Sequence, residues 1–326
     1  MLSSMSFIRN GEHSPMGSKT DKPRPDHRQR WVEFQREMER HFVEFPILTP
    51  KFPENVVRLD ALRRDGAIFI DNLLTADEFA RLKAALRPKM RSLRAGDDAN
   101  LPPGSFHLFP ELGRYRYYRI DEQVPETLLL KNHPVINDLV DAYMSNKKTF
   151  WDLALEVRCV PPDWDVALTD CNPHCDHIFR EVKVYLALDD ITRENGAMVY
   201  WTGTHRMGEW RKLPDYLSSI GGVWGDSHIL TSTTMNNLMT HSPEFADCRE
   251  IRCELKAGSV LVCDTRGVHR TSYLHSGERW HIYSTYSMEG YRRGGAHNEN
   301  WLQPLDLSYR PTSWIGRICE TFIGTS

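Results

Sequence analysis

One short stretch, "EVKVYLALDD" (181–190), alternates strictly: Val182, Val184, Leu186 and Leu188 are apolar, and Lys183, Tyr185 and Ala187 stand between them. A period of two gives a strand with two different faces, one for a hydrophobic core and one for something else. From about residue 105 other runs share this texture. "GRYRYYRID", "FWDLALEVRCV", "GAMVYWTG", "CELKAGSVLVCD" and "HIYSTYSME" are short, aromatic or β-branched, and bounded by turn residues. Such a series predicts a mainly β chain closed as a sandwich or barrel.

Helical grammar precedes it. "HRQRWVEFQREMERHFVEF" sets Trp31, Phe34, Met38 and Phe42 at helical spacing. In "RLDALRRDGAIFIDNLLTADEFARLKAALRPKM" a helix is expected to end near Gly66, with a strand over Ala67–Ile70. Thr75 and Glu78 then form a capping box for a second helix that runs to about Leu86, with Pro88 near its end. Residues 1–26 are polar and rich in Ser, Pro, Lys and Asp, the composition of a disordered tail. Residues 27–326 are expected to form one domain with a β core over about 105–290. An excursion over about 207–252, carrying "GGVWGDSH", interrupts the β pattern as a lid or substrate wall would.

Composition removes several classes of function. A formal net charge of −3 predicts neither nucleic-acid nor membrane-surface binding. No apolar run approaches the length of a transmembrane helix, and the opening residues lack the apolar region of a signal peptide. Seven cysteines scattered through the chain do not read as a disulfide framework, so a cytoplasmic monomer or homodimer is the simplest expectation.

The densest chemistry lies in "CNPHCDH" (171–177). A zinc knot of Cys171, His174, Cys175 and His177 is too tight, because structural zinc sites draw on two separated pairs. On a strand, His174 and Asp176 project to one side, and Cys175 and His177 to the other. Such an H-x-D pair is weak alone: about two H-x-[D/E] pairs arise by chance at this composition, and the chain has two. The other, His297 and Glu299, sits in a Gly/Asn-rich tail. A second histidine decides the matter, and His269 qualifies, lying after a Gly turn between two β-like runs. Two histidines and one carboxylate compose the facial triad of non-haem Fe(II) oxygenases, with coordination positions left open. His205, His275 and His281 read instead as structural or surface histidines.

The segment "HCDHIFREVKVYLALDDITRENGAMVYWTGTHR" resembles the phytanoyl-CoA dioxygenase-like (PhyH) family of Fe(II)/2-oxoglutarate oxygenases. The family shows H-x-D, then "ALDD-x-T-x-ENG", then a "PGSHR"-like turn, matched here by His174 and Asp176, by 187–196 and by "TGTHR" (202–206). The likeness spans roughly residues 57–290, and Thr202 stands where a proline is usual. It implies a double-stranded β-helix (jelly-roll, cupin-like) core flanked by N-terminal α-helices. It further implies iron on His174, Asp176 and His269, with Arg279 holding the distal carboxylate of 2-oxoglutarate. Thr271 and Tyr185 match positions that face this co-substrate. The implied reaction consumes 2-oxoglutarate and O₂, releases succinate and CO₂, is helped in vitro by ascorbate, and by default hydroxylates an aliphatic C–H. Related halogenases have a small residue where this chain has Asp176.

Plainer readings stand beside these roles. Arg279 can be a surface ion-pair partner and Tyr185 a core aromatic. Arg180 and Arg206 are candidate anchors for an anionic small-molecule substrate, or solvated surface charges. Trp224, in the excursion, is a candidate for the pocket wall. A non-catalytic jelly roll and a cupin-like Zn or Mn enzyme that ignores 2-oxoglutarate are the rival functions.

Overall fold

In a computed structural model, described for residues 46–95, 106–109, 113–160, 173–176, 180–206, 245–272 and 274–288, the chain builds two antiparallel sheets. Their strands are β1 (Ala67–Ile70), β2 (Phe106–Phe109), β3 (Arg114–Tyr117), β4 (Lys148–Cys159), β5 (Glu181–Ala187), β6 (Met198–Trp201), β7 (Glu250–Cys253), β8 (Val260–Asp264), β9 (His269–Arg270) and β10 (Glu278–Met288). The large sheet runs β1-β8-β5-β10-β4-β3-β2, and the small sheet β7-β6-β9. Mainly β and antiparallel, with helices on one side, the chain has the jelly-roll architecture that the family resemblance implies.

The alternation in β5 divides the large sheet into two chemistries. Val182, Val184 and Leu186 join Leu153, Leu155 and Val157 of β4, Val260 and Val262 of β8, and Trp280 and Ile282 of β10 in one core. Three helices cover that face: α1 (Pro53–Asp65), α2 (Ala76–Ala95) and α4 (Pro134–Tyr143), the last preceded by the single turn α3 (Leu128–Lys131). At about 1.5–3 kcal/mol for each large apolar side chain taken from water, this layer dominates the stability of the fold. The opposite face carries Lys183, Tyr185, Glu156, Arg158, Arg279, His281 and Tyr283, brought into line by the registers Tyr283↔Tyr185, His281↔Glu156 and Arg279↔Arg158.

The capping box forms as its residues dictate. The Glu78 carboxylate accepts from the Thr75 backbone N–H at 2.9 Å, and the Glu78 N–H donates to the Thr75 hydroxyl at 3.2 Å. The helix it opens, however, does not stop near Leu86. It passes through Pro88 to Ala95, because the residues around the proline are strong helix formers and Leu82 and Leu86 are fully buried. Helix α4 breaks the β texture between β3 and β4. The excursion expected to reach residue 252 closes earlier, since Glu250–Cys253 is a strand of the small sheet. The expected tail over 1–26, the helix around Trp31–Phe42, and residues 207–244 lie outside the described residues. No described helix is long and apolar enough to cross a membrane.

Tyr200 of β6 fastens the two sheets. Its buried hydroxyl donates to the Asp264 carbonyl at 2.9 Å, at the end of β8. Gly66 ends α1 at φ +81°, and a Cβ there would meet the Tyr200 hydroxyl at 2.2 Å. At Gly267 a Cβ would meet the same oxygen at 1.8 Å. Because the tyrosine is itself enclosed, Gly267→Ala is expected to cost about 1–3 kcal/mol of overpacking and lower the thermal midpoint by roughly 2–12 °C. An unchanged midpoint in calorimetry would show that the ring moves aside freely.

Candidate metal centre

Backbone pairing brings the candidate ligands together before any side chain is considered. His174 and His269 form an antiparallel bridge, each N–H donating to the other's carbonyl at 2.9 Å. Two residues on, the Asp176 N–H donates to the Thr265 carbonyl at 2.9 Å. The "CNPHCDH" stretch therefore runs beside the turn that leads into β9, and strand parity operates as expected. Cys175 is buried away from its neighbours, whereas His174 and Asp176 are only half-buried. Cys171 and His177 lie outside the described residues.

The side chains converge. Nε2 of His174 and Nε2 of His269 each stand 3.6 Å from Oδ1 of Asp176, and the two rings are 4.6 Å apart. One ligand atom from each of the three residues lies within 4.8 Å of the other two. Nδ1 of His269 donates to the Gly267 carbonyl at 2.8 Å, which leaves the Nε2 lone pair directed at the centre. Burial alone would raise the Asp176 pKa, but the Lys183 ammonium and His269 outweigh it and hold the carboxyl well below its usual range. Two imidazole nitrogens and a carboxylate oxygen gathered around one point suit a single Fe(II), with the remaining coordination positions open.

The other predicted residues are distributed as follows. Tyr185 projects from β5 on the same face as Lys183, its ring 5.5 Å from His281 and 5.4 Å from Tyr283. Arg279 is buried on β10, two residues before His281, and its Nη1 donates to the Gly196 carbonyl. Thr271 is half-buried, two residues past His269. Arg180 is buried rather than solvated: Nη1 donates to the Tyr143 carbonyl at 2.8 Å, and the guanidinium lies 5.3 Å over the Tyr143 ring. Arg206 is exposed and donates to the Gly203 carbonyl at 3.2 Å. Trp224 lies outside the described residues. His205 is structural, its Nε2 3.0 Å from the Arg63 carbonyl, and His275 is on the surface.

Several residues beyond the predicted set support the centre, one of them in the "TGTHR" turn. The Thr204 hydroxyl accepts from the Val268 N–H at 2.8 Å and donates to the Trp201 carbonyl at 2.6 Å, fixing the residue just before His269. Arg266 grips both carboxylate oxygens of Asp264, and the Tyr143 hydroxyl donates to the same group at 2.6 Å. Burial pushes Asp264 up, yet Arg266 prevails and holds it at about 2. This ion pair braces the turn from β8 to His269. Lys183 donates to Oδ2 of Asp176. The signal for Lys183 is its position: the one cation of β5, on the same side of the strand as Glu181 and Tyr185.

With this geometry established, likeness to known proteins becomes informative. The phytanoyl-CoA dioxygenase (PhyH) family profile matches residues 62–280. A curated protein, "Fe(II)/2-oxoglutarate-dependent dioxygenase nvfF" of Aspergillus novofumigatus, is 26% identical over 180 residues, covering 51% of this chain. The match spans 58% of that relative's length. The crystal structure of EctD from S. alaskensis with 2-oxoglutarate and 5-hydroxyectoine superposes with a TM-score of 0.54 at 16% identity, covering 74% of this chain and 80% of that one. The carbocyclase SnoK from nogalamycin biosynthesis gives 0.51 at 16% identity, covering 79% and 94%.

His281 generates a prediction about pH. Burial drives its pKa from 6.5 down to about 3, against the attraction of Glu156 at 3.6 Å. The folded chain thus keeps the ring neutral where the unfolded chain would protonate it. Its contribution to stability is complete above pH 6.5 and is lost as pH falls toward 3, at up to about 1.4 kcal/mol per pH unit. Glu156, Asp176 and Asp264, all depressed carboxylates, add their losses only at lower pH. Urea denaturation between pH 7 and 5 should show a steeper loss in the wild type than in His281→Gln, and equal slopes would contradict the assignment.

Proposed function

The chain belongs to the phytanoyl-CoA dioxygenase (PhyH) family, and on that premise we propose that it is an Fe(II)/2-oxoglutarate-dependent oxygenase that hydroxylates an aliphatic C–H of a small-molecule metabolite. The observation that carries this reading is the convergence of His174, His269 and Asp176, with both imidazole Nε2 atoms 3.6 Å from the same carboxylate oxygen. The name of the curated relative, an Fe(II)/2-oxoglutarate-dependent dioxygenase, supports it. Iron bound there with 2-oxoglutarate and O₂ supplies the oxidising chemistry, with succinate and CO₂ as the co-products.

The chain's own residues supply position and charge. His174, Asp176 and His269 would hold the metal, which would keep positions open for the 2-oxo acid and O₂. Arg279 projects from the same sheet face as Tyr185, and its guanidinium is the proposed clamp for the distal carboxylate of 2-oxoglutarate. Tyr185 and Thr271 are the proposed flanks of that co-substrate, the first offering a ring and the second a hydroxyl. The Tyr185 hydroxyl stays protonated because burial raises its pKa. With Asp176 filling the third ligand position, the proposed outcome is hydroxylation. Arg206 and Trp224 remain proposed substrate contacts, and Arg180 acts through its hold on Tyr143. The proposed working form is a cytoplasmic monomer or homodimer without nucleic-acid or membrane partners.

Succinate formation from 2-oxoglutarate, with Fe(II), ascorbate and O₂, tests the reaction. A charge-assisted hydrogen bond contributes about 1.5–3 kcal/mol, so Arg279→Ala should raise the 2-oxoglutarate requirement by about tenfold or more. An unchanged requirement would point to metal chemistry without this co-substrate, and no succinate with any substrate class would point to a binding protein.

A further inference from the structure

The two carboxylate oxygens of Asp176 have different partners. Oδ1 stands 3.6 Å from each of the two histidine Nε2 atoms. Oδ2 accepts a hydrogen bond from Nζ of Lys183. That lysine is held in place: its side chain is only 12% exposed, and the Glu181 carboxylate lies 3.9 Å from its ammonium. Glu181 in turn accepts from the Thr265 hydroxyl at 3.0 Å, while the Thr265 carbonyl accepts the Asp176 N–H at 2.9 Å. The chain Asp176–Lys183–Glu181–Thr265 closes on itself, so the lysine cannot shift without disturbing the backbone of the ligand it touches.

We propose that Lys183 is a positioning residue that restricts Asp176 to one-oxygen ligation by occupying Oδ2, thereby keeping three rather than two positions open on the metal. The physical reason is competition for lone pairs. A carboxylate with both oxygens free can chelate a divalent ion, whereas an oxygen committed to an ammonium is a poor second donor and is turned away from the centre. A chelating co-substrate takes two positions and O₂ a third, so a two-oxygen Asp176 would remove one that the reaction uses. This inference rests on the proposed iron site and refines it.

The test needs no turnover. The full-length chain is loaded with Mn(II), and water-proton relaxation counts the waters exchanging at the metal. A titration of 2-oxoglutarate at saturating Mn(II) follows. Wild type should carry three exchangeable waters. Lys183→Met should lose about one third of the relaxivity and bind 2-oxoglutarate about tenfold more weakly or worse, whereas Lys183→Arg, which keeps the donor, should retain both properties. A folded Lys183→Met with the wild-type relaxivity overturns the proposal. Should Lys183→Met not fold, a folded Lys183→Arg that loses a water overturns it equally. A wild-type chain that takes up no Mn(II) overturns the iron-site reading itself, a result distinct from a failure of the lysine's role.

Discussion

The reciprocal backbone hydrogen bonds between His174 and His269 are the constraint on which the centre depends. Each such bond contributes only about 0.5–1.5 kcal/mol net, so two of them do not hold distant segments together by strength. They hold because each flank is fixed independently. On one side, Thr204 and Tyr200 of the small-sheet segment fasten the turn before His269. On the other, Asp176 is tied through Thr265 to the start of β5. The site is a junction between two sheets, and its accuracy comes from the number of attachments rather than from any single one.

The second organising principle is the asymmetry of the large sheet. One face is an apolar layer against three helices. The other buries charge: Glu156 accepts from Arg116 and Arg158, and these guanidinium groups overcome burial to keep it ionised. Partnered in this way, buried charges are tolerated and rigid, whereas a lone one would neutralise itself. His281 takes the alternative course and stays neutral. A face of this kind is costly for a purely structural protein, and it carries the proposed clamp Arg279.

Much of this was legible in the sequence because it follows from local rules. The alternation in "EVKVYLALDD" gave β5 and both of its faces, and Thr75 with Glu78 marked the start of α2 correctly. Parity separated His174 and Asp176 from Cys175. What escaped depends on tertiary neighbours. Pro88 does not end its helix, since packing of Leu82 and Leu86 outweighs a local preference. Arg180 has no sequence mark that distinguishes a surface arginine from one packed on Tyr143. Tyr200 looks like any strand aromatic until Gly66 and Gly267, far apart in the chain, are seen closing around its hydroxyl. Lys183 stood in the sequence only as one residue of the alternation, and its pairing with Asp176 depends on the fold.

The central claim is that His174, Asp176 and His269 make one Fe(II) site that binds 2-oxoglutarate by chelation. Anaerobic titration with Fe(II) and then 2-oxoglutarate, read by metal equivalents bound and by the visible charge-transfer absorbance of the chelate, tests it directly. The account predicts one Fe(II) per chain and a band that is lost in His174→Ala and in His269→Ala. Full Fe(II) binding with an intact band in either variant would contradict it.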